Sequence, residues 1–138
     1  MHTQGSFAPE TAAEASERYE RLGSTAQVVV REIARAMELD AEEYDRRVTD
    51  EVVETAHDAL FASSLLVRAG SRTEFAEWCE DRDVEIVEIG SENVDNVAWH
   101  HAPFADAVVA ATYQGEQQAA VDTLRRQAFG RLYREVLP

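Results

Sequence analysis

The chain has 138 residues, the size of one ordinary domain, and can bury a core without metals or disulfides. An apolar content of 45% excludes wholesale disorder. Acids outnumber bases 27 to 13, for a net charge of −14, and all 13 bases are arginine.

Taken in chain order, residues 1–8 carry no periodic pattern and are expected to be flexible. Pro9 opens a helix in which Ala12, Ala15, Tyr19 and Leu22 recur at helical spacing. Gly23 reads as its C-terminal stop and Ser24 as the cap of a second, antiparallel helix. Ala26, Val29, Val30, Ile33 and Met37 form the apolar stripe of that second helix. Asp40, with Glu43 three residues on, caps a short third helix, and Thr49 caps a fourth that ends near Phe61. The period then changes. Leu65 and Val67 lie in a short strand ending at Gly70. Ser71-Arg72-Thr73-Glu74 is a capping box opening a helix that buries Phe75, Trp78 and Cys79. Asp83–Ile89 reads as a strand whose alternation slips between Ile86 and Val87, which predicts a bulge or cover on both faces. A polar loop follows, then strands at Val97–His101 and Asp106–Tyr113 joined by a turn at Pro103. A long helix, Glu116–Leu137, closes the chain, with Leu124, Ala128 and Leu132 as its core ridge.

This order predicts an α+β fold in a single domain, 1–138. A helical part (9–63) packs on an α+β part (64–138) of order β-α-β-β-β-α, with a mixed sheet of three or four strands.

The absence of lysine needs a cause acting on the whole sequence. At 1 M salt the Debye length is about 3 Å, so dense surface carboxylates repel one another little. Arginine pairs with them better than lysine does and exposes less bare apolar stem. We read the composition as adaptation to a salt-saturated cytoplasm; the alternative is a GC-rich genome favouring Arg and Ala codons. Cys79 is the only cysteine, so no intramolecular disulfide forms, which fits a reducing cytosol. Met1–Glu10 lacks the basic and apolar regions of a signal peptide, and the longest apolar run, Ala107–Ala111, is too short to span a membrane. A cytoplasmic protein with no membrane partner is expected.

Trp99-His100-His101 is the most unusual local feature. Adjacent strand residues point to opposite faces, so two adjacent histidines are a poor pair for one metal. With His57 they make an incomplete ligand set, and no metal or other cofactor is expected. Asn93, Asp95 and Asn96 are turn formers, yet a polar loop feeding Trp99 and His100 is where a small-ligand pocket would form. Arg125 sits inside the apolar arc of the last helix, either as a structural arginine or as an anion-binding group facing the sheet. Residues 71–95 carry a net −7, whereas 116–138 carry +1. A near-neutral helix in so acidic a chain is either buried or docked on a partner.

Glu51–Ala56, Asn93–His100 and Leu124–Arg131 resemble an uncharacterised haloarchaeal protein family, a domain of unknown function. The resemblance covers nearly the whole chain and implies no activity and no catalytic residues. Nucleotide, α/β-hydrolase and zinc-protease motifs are all missing from the sequence. The leading expectation is therefore a non-enzymatic binding or adaptor domain with a protein partner, a second copy included. The alternatives are a small-ligand or metal-dependent enzyme centred on Trp99 and His100, and a transcription-associated protein. Nucleic acid is not an expected partner, because the third helix begins Ala41-Glu42-Glu43.

Overall fold

The computed structural model describes residues 1–91 and 93–138. The helices are α1 (Ala12–Ala36), α2 (Ala41–Arg47), α3 (Asp50–Ser63), α4 (Arg72–Glu80) and α5 (Gln117–Ala128). The strands are β1 (His2–Gln4), β2 (Val67–Ser71), β3 (Glu85–Ile89), β4 (Asn96–Ala102) and β5 (Ala107–Tyr113). The fold is α+β. Its sheet has five strands in the order β1-β2-β4-β5-β3, antiparallel throughout except for the parallel β3–β5 pair.

Helix starts follow local chemistry. Asp40 accepts from the Glu43 amide at 2.8 Å and Thr49 from the Val52 amide at 3.2 Å. At Ser71 the capping box is reciprocal: Ser71 Oγ accepts from the Glu74 amide, and Glu74 accepts from the Ser71 amide.

Gly23 does not stop a helix. α1 runs unbroken through Gly23 and Ser24, so the two expected antiparallel helices are one. Gly23 keeps a negative φ, and a Cβ placed on it would lie 3.5 Å from the His57 ring of α3. α3 packs against α1 at this point, and the Tyr19 and His57 rings stack with centroids 3.6 Å apart. That packing outweighs the roughly 1 kcal/mol that glycine costs within a helix. The buried line of α1 is then Ala15, Tyr19, Ala26, Val30 and Ala34, while Ile33 and Met37, expected in the stripe, are both 56% exposed.

The sheet corrects three further expectations. Residues 1–8 carry an edge strand, in which His2–Gln4 pairs with Val67–Ala69. Gly5, at φ +79, turns the chain after it, and any side chain there would strike the Leu65 carbonyl and Arg125. β3 has neither a bulge nor cover on both faces: it lies at the sheet edge and pairs residue for residue with Ala107–Ala111. The last helix is regular only to Ala128 and then makes a π turn over Phe129–Tyr133, closed by the Arg134 amide donating to the Phe129 carbonyl at 3.0 Å. The extra residue in that turn rotates the ridge. Tyr133 takes the core position expected of Leu132, which is left half-buried.

β4 sorts the core. Ala98 and Ala102 face α1, α3 and α5, in a cluster with Phe61, Leu65, Leu124 and Tyr133. Val97 and Trp99 face α4 and pack with Phe75, Val108 and Ala110. No helix among the described residues is long and apolar enough to cross a membrane.

Candidate functional site

Strand alternation divides the centre expected around Trp99 and His100. Both side chains are fully buried, but Trp99 packs on Phe75 and Trp78 beneath α4, while His100 lies on the other sheet face beside Tyr133. They do not line one pocket. His100 Nδ1 donates to the Leu66 carbonyl at 2.7 Å, which leaves Nε2 to accept from the Tyr133 hydroxyl at 2.6 Å. Burial pushes the imidazole down to about 4, only partly offset by the bond to Leu66. A neutral ring with both nitrogens occupied is a core polar group that ties β4 to the chain just before β2 and to the π turn.

The three histidines also lie apart. His57 is on α3, where Nε2 donates to the Tyr19 carbonyl. His101 is on the α4 face, edge-on to Trp78 at 5.2 Å. Among the described residues, no three His, Cys, Asp or Glu side chains stand together as a metal-holding group.

The polar loop belongs to neither sheet face. Asn93, Asp95 and Asn96 are exposed, and Asn96, four residues before His100, pairs with Ser71 and Tyr113 at the start of β4. Four strand residues span about 13 Å, which separates the loop from His100. Arg72 holds the loop, donating to the Ser91 and Val94 carbonyls, each at 3.1 Å, and pairing with Glu88. Arg125 does similar work on another segment. Its Nε and Nη2 donate to the Leu65 carbonyl at 3.2 and 3.0 Å, clamping the chain just before β2. Burial lowers its pKa. These two bonds to one carbonyl give Arg125 a structural role in holding that segment.

A cleft of about 480 Å³ lies elsewhere, between α3 and the α5–π-turn segment. Glu51, Glu54 and Asp58 follow one another at i, i+3 and i+7, so α3 presents them as one stripe along a wall. Arg126 and Arg134 stand on the opposite wall. Ala59, Ala62 and Phe129 add apolar lining, and the small alanines keep the cleft open. No ion pair crosses it among the described residues. Asp58 instead accepts from the Tyr19 hydroxyl at 2.6 Å, and Arg134 lies over the Phe129 ring at 5.1 Å. Burial, and then that bond to Asp58, push the Tyr19 phenol up, so it stays protonated as a donor.

The family model for the family of unknown function DUF5809 matches residues 6–134. The chain belongs to that family. No curated protein and no solved structure matches it. Family membership therefore brings no activity with it, and the cleft rests on its own geometry. The acid stripe of α3 was readable from spacing alone. The near-neutral C-terminal segment was readable too, but the π turn that places Arg134 on the cleft was not.

Proposed function

We propose that this protein is a non-enzymatic binding protein whose recognition surface is the α3–α5 cleft, and that its occupant is a polypeptide segment carrying both basic and acidic side chains. The carrying observation is the pair of facing walls, carboxylates on one and guanidinium groups on the other, held apart without pairing around an apolar lining. A mixed-charge segment offers basic groups to Glu51, Glu54 and Asp58, acidic groups to Arg126 and Arg134, and apolar contact to Phe129. The enzyme reading centred on Trp99 and His100 loses support because the two side chains face opposite sides of the sheet. The transcription reading loses support because α2 opens with Glu42 and Glu43 and buries no residue. The lysine-free, acidic composition supports a protein that works in concentrated salt, within the cytosol.

The test is site-specific photo-crosslinking in multimolar KCl, with the probe at Thr55 in the cleft and, as a control, at exposed Arg46 on α2. One polypeptide captured from Thr55 alone, and released when Glu54→Arg and Arg126→Glu are introduced into a chain of unchanged melting temperature, is the expected result. Equal capture from both positions, or capture indifferent to the charge changes, overturns the proposal.

A further inference from the structure

On the opposite sheet face, two guanidinium groups and an imidazole gather around one ring. Arg68 on β2 pairs in register with Trp99 on β4, and His101 lies two residues beyond Trp99, so all three point to the α4 side. There the Trp78 ring carries the Arg82 guanidinium at 3.9 Å and the Arg68 guanidinium at 5.3 Å, with His101 edge-on. Arg82 is anchored by donating to the Trp78 carbonyl, which fixes its head over the indole.

Acids outnumber bases two to one in this chain, yet neither Arg68 nor Arg82 forms an ion pair among the described residues. Glu77, Glu80, Asp81 and Asp83 flank this segment in sequence and pair with neither arginine. The cations feel one another instead. Burial and then Arg82 lower the pKa of Arg68; burial, then Arg82, then Arg68 lower that of His101, and only Asp106 acts the other way. Two like charges on one aromatic platform, Arg68 half-buried and Arg82 exposed, are a preorganised receptor for an anion.

We propose that Arg68, Arg82 and His101, set around Trp78, form a binding site for a small tetrahedral oxyanion: inorganic phosphate or the phosphoryl group of a small monoester. Two guanidinium forks match the oxygens of such a group, and an imidazole adds a third donor. A polyanion is disfavoured, because the net −14 of the chain repels an extended strand of phosphates while one small dianion reaches the local patch.

The test is calorimetric titration of the full chain with inorganic phosphate, and separately with phenyl phosphate, against potassium chloride at matched ionic strength. Saturable one-site binding of phosphate, absent with chloride, is expected. Affinity should fall at least tenfold in Arg82→Gln, a change at an exposed side chain, and in Arg68→Gln, and should be unchanged in Arg46→Gln, at an exposed position on α2 outside both candidate sites. Phosphate should also raise the melting temperature of the parent chain and not that of Arg82→Gln. Binding of inorganic phosphate alone identifies the free ion as the ligand; binding of both identifies the phosphoryl group. Non-saturable heats, an equal response to chloride, or undiminished affinity in both arginine variants overturns the proposal.

Discussion

The Tyr133 hydroxyl donates to His100 Nε2 across 2.6 Å, and both side chains are fully buried. Removing the donor strands a ring nitrogen in the core. An unsatisfied buried polar group costs about 1–3 kcal/mol, so Tyr133→Phe should destabilise the fold by that amount with little change in shape. Chemical denaturation of the two proteins checks it.

The same histidine sets a pH dependence. Its folded pKa, about 4, lies below the ordinary 6.5. Between those values the unfolded chain binds more protons than the folded one, so stability rises with pH there. The contribution is complete above 6.5 and is lost as pH falls toward 4. The slope across that window is about 1.4 kcal/mol for each step of one in pH, and therefore roughly 3 kcal/mol in all. His101 is also lowered and adds in the same direction. Stability measured from pH 7 to 4 should fall more steeply in the parent chain than in His100→Gln. Equal slopes would mean that His100 does not control the window.

The π turn makes opposite predictions for two leucines of one segment. Leu124 is fully buried against the sheet, and Leu124→Ala should cost about 2–5 kcal/mol. Leu132, rotated outward by the extra residue of the turn, should cost well under half of that when replaced by alanine. Melting temperatures of both variants distinguish this arrangement from a regular helix, in which the two losses are comparable.

Gly23 offers a stabilising change. Its backbone is helical, and an alanine Cβ would meet the His57 ring at an ordinary 3.5 Å. Gly23→Ala should add about 0.5–1 kcal/mol through helix propensity. Gly23→Leu should destabilise, because the larger side chain forces α3 away and separates Tyr19 from His57. Thermal melts of both variants give the signs.

Melting temperature should also rise with potassium chloride. A net −14 on a small domain opposes compaction until the charge is screened. Melts from dilute buffer to multimolar salt measure this. A midpoint that is flat or falls with salt would remove the high-salt reading of the composition.

Features decided within a few residues were legible in the sequence. The caps at Asp40, Thr49 and Ser71 each need only a side chain and an amide three positions away. The opposite facing of Trp99 and His100 follows from strand alternation, and the acid stripe of α3 from helical spacing. Features decided by a distant partner were not. Gly23 stops a helix by local preference, but close contact with α3 keeps it helical. His2–Gln4 has no pattern of its own and becomes a strand because β2 offers an unpaired edge. Arg125 is free for an anion by spacing alone, but the fold brings the Leu65 carbonyl to it from 60 residues away in sequence. Both candidate sites belong to this second class. Spacing lays charges along one face of one element, but only packing sets α3 against the π turn, or Arg68 and Arg82 against a single indole. Such proximity costs chain entropy and charge repulsion, and the burial of the whole core offsets both.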